Sequence, residues 1–170
     1  MIPDPNTAGA TEARFKAELA AATSEEAAYA ALFRLSDHLV PVRLWTVMSV
    51  DMNAGLARRA FSNMPKAYPT SGTKPVVHND WFEVVQVQRR SFVANTLAEI
   101  AAVFPDHQLI AKLGCGSVLN LPVIHAGALV ATVNMLDVEG HFTPARVREC
   151  HDVLKAPAMR AMLTAQELAS

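Results

Sequence analysis

Cysteine is nearly missing from this chain: 170 residues contain two, Cys115 and Cys150, too few and too far apart to staple a secreted fold. Reduced thiols in a cytoplasmic protein are the expectation. The first ten residues, Met1 to Ala10, hold neither a basic stretch nor an apolar run, so the pattern of a signal peptide is lacking. No apolar run approaches the roughly 20 residues that cross a bilayer as a helix. Charge is sparse as well, at 18% of residues with a formal net charge of −1, which gives no field to draw in nucleic acid or an anionic membrane. The pairs Arg58-Arg59 and Arg89-Arg90 read as solvated surface rather than as a basic patch. Chemical signatures are missing too. The six histidines have no ligand-like spacing on a helix, so no metal site is expected. There is no Walker loop and no nucleophile elbow, and Gly114-Cys115-Gly116 lacks the third glycine of a dinucleotide fingerprint.

What is present is apolar residues, 51% of the chain, enough for one domain with a real core. The two prolines and absent periodicity of residues 1–10 predict a flexible tail, with a single domain over residues 11–170. Alanine-rich Thr11 to Ala22 predicts a short helix. Ser24 is a good N-cap, with Glu25 and Glu26 in the first turn, and Ala28, Leu32, Leu35 and Leu39 form one stripe ending at Pro41. The period then changes to that of strands. Leu44 to Val50 and Leu56 to Ser62 read as a hairpin, followed by a long loop from Asn63 to Asp80. Trp81 to Arg89 suits a helix, Phe92 and Val93 a short central strand, and Thr96 to Val103 and Asp106 to Leu113 two helices broken at Pro105. Ser117 to His125 and Leu129 to Asp137 form a second hairpin turning at Ala126-Gly127. Thr143-Pro144 opens a terminal helix, which Pro157 should kink or divide. This order predicts an α+β fold, an antiparallel sheet with helices on one side.

That order, with Ser117, Leu121-Pro122-Val123, Gly127, Ala131-Thr132-Val133-Asn134 and Phe142-Thr143-Pro144, resembles the GAF domain family from Glu25 to about Ala165. The resemblance implies a central antiparallel sheet with the terminal helices packed on one face and ligand-pocket loops on the other. It also implies a small-molecule ligand, since relatives bind cyclic nucleotides, bilins, haem or small metabolites, and a homodimer through the terminal helices. Relatives are usually fused to an output module. None fits in the residues left over, so a separate output protein is expected. The cofactor is left open.

Strand alternation from a turn at Ala126-Gly127 places Ser117, Leu119, Leu121, Thr132 and Asn134 on one face. The polar members either meet a ligand or satisfy the overlying loop. The long loop brings Tyr68, Lys74, His78, Trp81 and Phe82, a mixture of aromatic faces and donors. Lys74 suits an anion and Trp81 a planar group; alternatively Trp81 and Phe82 anchor the loop, while Trp45 belongs to the core. Asp106 and His107 border the expected pocket. They either bind a ligand or move a proton, or Asp106 simply caps the next helix. Cys115, between two glycines, is placed for close approach to a ligand, or is a small buried hydrophobe. The enzymatic relative in this fold, free methionine-(R)-sulfoxide reductase, works with three cysteines, and here the resolving partner is missing. No catalytic residue is assigned. A sensory or regulatory binding domain is the expectation, with an enzyme using Cys115 or the Asp106–His107 pair, or a ligand-free adaptor dimer, as alternatives.

Overall fold

Period-two patterning divides this chain's strand residues between two environments. The computed structural model describes residues 5–169. Among them, β1 (Leu44–Asp51), β2 (Leu56–Ser62), β3 (Lys74–Pro75), β4 (Phe92–Ala94), β5 (Ser117–His125) and β6 (Ala128–Asp137) form one antiparallel sheet ordered β3-β2-β1-β6-β5-β4. Its back is covered by α1 (Pro5–Ala21), α2 (Glu25–Leu39) and α6 (Pro144–Ala169). Its front carries α3 (Asp80–Phe82), which continues as a π-helical turn over Glu83–Val87, then α4 (Leu97–Ala101) and α5 (His107–Lys112). The architecture is α+β, as expected. No helix among the described residues is long and apolar enough to cross a membrane.

The larger core lies between the sheet and the back helices. Fully buried Trp45 packs its ring 5.5 Å from Phe33 and 5.7 Å from Phe61, beside Leu32, Leu119, Met135 and Leu154. The helices start where their sequences cap them. The Ser24 hydroxyl accepts the Ala27 N–H at 3.1 Å, and the Thr143 hydroxyl accepts the Arg146 N–H at 3.3 Å with Pro144 in the first helical position.

Four expectations are corrected here. The predicted tail is helical from Pro5, because a proline in the first turn forfeits only an N–H that has no partner anyway; residues 1–4 lie outside the described residues. Pro157 does not divide α6, which is held on both sides of it by buried Leu154, Ala158 and Ala161. Phe92–Ala94 is an edge strand, paired only with β5. The fourth correction is register. The hairpin does turn at Ala126 and Gly127, both with positive φ (50° and 78°), and His125 faces Ala128. A bulge then intervenes: Ile124 pairs with Leu129 but Val123 pairs with Ala131, so Val130 is an extra residue. Every pair beyond it is displaced by one. Leu119 faces Met135 and Leu121 faces Val133, both toward the back helices, while Asn120 faces Asn134 on the front. Ser117 also leaves the predicted face, opposite Asp137.

Leu119 therefore behaves as a core residue. Leu119→Ala should lower unfolding free energy by about 2–5 kcal/mol, measured by urea denaturation, whereas a Leu119 facing a solvated pocket would lose far less.

Candidate functional site

The front of the sheet carries a cavity of about 300 Å³. Its floor comes from β1, β5 and β6, its roof from the Asp80–Phe82 helix, and its far wall from β2, β3 and the approach to α5. Met48, Val50, Phe82, Phe104, Ile110, Val118 and Leu136 make most of the lining apolar.

The floor holds a continuous polar chain. The Trp81 indole donates Nε1–H to Asn120 Oδ1 (2.9 Å), Asn120 Nδ2 donates to Asn134 Oδ1 (2.7 Å), and Asn134 Nδ2 donates to Thr46 Oγ1 (3.1 Å). Register makes this possible, because Asn120 pairs with Asn134 and Asn134 with Thr46 across three adjacent strands. Asn120 and Thr46 are 3% and 2% exposed, so each unmet bond would carry close to its full desolvation cost. The roof is positioned by Asn79. Its side chain accepts the Phe82 N–H at 3.1 Å as an N-cap and donates to the Val103 carbonyl at 3.3 Å.

The wall is a second cluster. Tyr68 donates its hydroxyl to Asp106 Oδ2, which also accepts from Arg59 Nη2 at 3.3 Å. The Arg59 guanidinium lies 3.6 Å over the Tyr68 ring and donates to the Pro69 carbonyl at 2.8 Å. Burial, and then the hydrogen bond to Asp106, hold the Tyr68 phenol well above the ordinary tyrosine range, so it stays a donor. Asp106 occupies the N-cap position of α5, yet its side chain makes no capping bond. Its carboxylate is committed to Tyr68 and Arg59.

Of the residues predicted from sequence, Tyr68, Lys74, Trp81, Phe82, Asp106 and Asn134 line this cavity. The other five do not. His78 stacks on Phe82 at 4.1 Å from outside the lining. His107 Nδ1 lies 2.9 Å from the Phe104 carbonyl and makes no pair with Asp106. The Ser117 hydroxyl donates to the Asp137 carbonyl at 3.2 Å. Thr132 is on the front face but fully covered, its hydroxyl without a partner. Cys115 is buried in the front core with Leu44 and Ile110. Its flanking glycines answer packing: a Cβ on Gly114 would strike the Arg43 guanidinium, and one on Gly116 would strike Glu139. Burial pushes the Cys115 thiol up to about 11, with Asp137 adding and Arg43 opposing. Cys150 on α6 is likewise pushed to about 11, mainly by burial.

Among the lining residues that the sequence reading did not single out are Thr46, Asn120 and Arg59, whose side chains bond to those of its candidates. Asn120 had a signal, as a lone amide in the apolar run Ser117–His125. Arg59 reads as solvated surface in the sequence, and a second bulge brings it to the cavity. Val47 pairs with Phe61 but Met48 pairs with Arg59, leaving Ala60 extra, so Phe61 enters the back core while Arg59 lines the front.

The comparisons with known proteins bear on this fold. No family model matches the chain, and no curated protein matches it in sequence. Solved structures do. The GAF domain of an Acinetobacter phosphoenolpyruvate-protein phosphotransferase superposes with a TM-score of 0.70 at 11% identity, over 98% of this chain and 99% of that one. The GAF domain of a two-component sensor histidine kinase from Bacillus halodurans gives 0.65 at 12% identity, over 84% and 96%. The free methionine-R-sulfoxide reductase from Neisseria meningitidis, solved with its substrate, gives 0.61 at 11% identity, over 98% and 96%. The fold is GAF-like; at these identities the likeness establishes fold and nothing finer.

Both thiols have raised folded values, so the folded chain keeps protons that the unfolded chain releases above the ordinary value of 9.0. Their contribution is fully present below that pH and is lost as pH rises through about 11. The urea midpoint should fall between those limits, and fall less steeply in Cys115→Ala/Cys150→Ala. A slope unchanged in the double variant would show that the thiols are not its source.

Proposed function

We propose that this chain is a regulatory domain that binds a small organic molecule on the front of its sheet. The observation that carries the reading is the cavity itself: about 300 Å³, apolar-walled, with a few convergent polar groups on its floor. That is the usual make-up of a small-molecule site, at the small end of the usual size range. Side chains that could have filled the space point elsewhere, as Leu119 and Leu121 do, which favours a ligand over an adaptor without one. A sensory role agrees with the settings in which this fold occurs, among them the histidine kinase. With it go a homodimer through the terminal helices, a separate output protein and a cytoplasmic location.

The enzyme reading finds less support. A thiol that attacks a substrate must ionise near neutral pH and reach the cavity. Cys115 is pushed the other way and lies outside the lining, and Cys150 is buried behind the sheet. Asp106 and His107 share no hydrogen bond with which to relay a proton.

Thermal unfolding against a metabolite library tests the reading. A ligand at 100 times its Kd adds about 2.7 kcal/mol, roughly a 5–10 °C rise in Tm for a domain of this size. The rise should vanish in Asn134→Leu, a variant expected to remain folded although about 1–3 kcal/mol less stable from its stranded neighbours. No shift with any compound in a library spanning amino acids, nucleotides and aromatic acids would count against the function. Light scattering checks the dimer, which a monomer mass at every concentration would exclude.

A further inference from the structure

The floor of the cavity has a direction, and one residue imposes it. An indole N–H only donates. Trp81 Nε1 lies 2.9 Å from Asn120, so the amide must turn its oxygen to Trp81 and its nitrogen to Asn134. Asn134 must then accept with its oxygen and turn its own nitrogen to Thr46. The Thr46 hydroxyl accepts, which leaves its proton to give away. Turning either amide over would set N–H against N–H. Three protons remain uncommitted along this floor: one on each amide nitrogen and the Thr46 hydroxyl proton. No other hydrogen bond of these three side chains forms among the described residues. Asn120 and Thr46 are buried and Asn134 partly so, and buried donors left without acceptors are rarer and costlier than a carbonyl oxygen with one lone pair spare.

The volume limits what can answer them. About 300 Å³ is roughly twice the ~150 Å³ of a dry cavity that takes up benzene. The apolar, partly aromatic lining favours a flat body.

We propose that the cavity selects a flat apolar molecule of about two fused rings bearing a hydrogen-bond acceptor, a carbonyl or carboxylate oxygen, and that Trp81 sets this preference by orienting the amides of Asn120 and Asn134 toward Thr46. Trp81 is in this sense a specificity-determining residue that acts through others. The proposal deepens the ligand-site reading and rests on it.

Naphthalene, 2-acetonaphthone, 2-naphthoate and 2-naphthylamine, an aromatic amine that is uncharged at neutral pH, share one body and differ in one group. Their affinities for the full chain are measured by isothermal titration calorimetry. The ketone, the carboxylate or both should bind about tenfold or more tighter than the amine, the ratio expected of one buried donor met or left unmet. Trp81→Phe keeps an aromatic roof and loses the N–H, freeing the amides to turn over, so the ketone-to-amine ratio should fall toward one. Thr46→Val keeps the direction and removes the last donor. It should weaken the ketone and leave naphthalene unchanged, and it serves independently if Trp81→Phe does not fold. Lys74→Ala sorts the two acceptors: loss of naphthoate affinity alone identifies an anion, and no change identifies a neutral carbonyl. An amine that binds as tightly as the ketone, or a ratio unmoved in both folded variants, overturns the proposal. Failure of all four probes beside a library compound that does stabilise the fold overturns the proposal and spares the ligand site. Failure of probes and library together removes both.

Discussion

Two extra residues, Ala60 in β2 and Val130 in β6, govern what each face of this sheet carries. A strand presents alternate residues to opposite faces, so one inserted residue exchanges the fates of everything beyond it. With Val130 present, Leu119, Leu121, Val133 and Met135 point back, where α2 and α6 exclude water, and Asn120 and Asn134 point forward. With Ala60 present, Phe61 joins Trp45 in the back core while Arg59 lines the front. Remove either bulge and an apolar face acquires an amide or a guanidinium. The fold tolerates the irregularity because it lets one sheet have two chemically different faces.

The front face then has to satisfy polar groups that are largely withdrawn from water, Asn120 and Thr46 most of all. It does so by linking them rather than by pairing each with backbone. Trp81, Asn120, Asn134 and Thr46 come from a helix and three strands, and every link has a hydrogen-bond length between 2.7 and 3.1 Å. Such a chain is sensitive to its ends, because each member's orientation depends on its neighbour's. That couples the roof helix to the sheet. Whatever moves Trp81 changes what the floor offers, without any strand having to shift.

Much of the fold could be read from the residues because its signals are local. The Ser24 and Thr143 caps, the Ala126-Gly127 turn and the change from helical to strand period each lie within a few positions of their effect. The GAF-like order of elements follows from those. What could not be read is what tertiary packing decides. Val130 and Ala60 are ordinary strand residues, and nothing in their type marks a bulge. The Arg59–Asp106 bond joins positions 47 apart, and the Trp81–Asn120 bond positions 39 apart. The predicted set thus included Trp81, Tyr68, Asp106 and Asn134 as separate candidates, while their partners Asn120, Thr46 and Arg59 were missed. The helical character of residues 5–10 was hidden for a different reason. Pro5 and Gly9 look like breakers, but a proline costs a helix little in its first turn.

The wall and the floor differ in how much freedom they leave. On the wall the charges are paired within the protein: Asp106 takes two hydrogen bonds, and Arg59 spends its charge on Asp106 and its face on Tyr68. This cluster ties β2, the segment after it and the start of α5 into one unit, so it reads as a brace. On the floor the groups are neutral and bonded in one direction only, with protons left over. Wall and floor then divide the labour: the paired charges hold the shape of the cavity, and in the proposal above the floor sets which shape-matched molecule it prefers. In that proposal, residues conspicuous on charge alone are poorer guides to specificity than two asparagines, a threonine and the indole that aligns them.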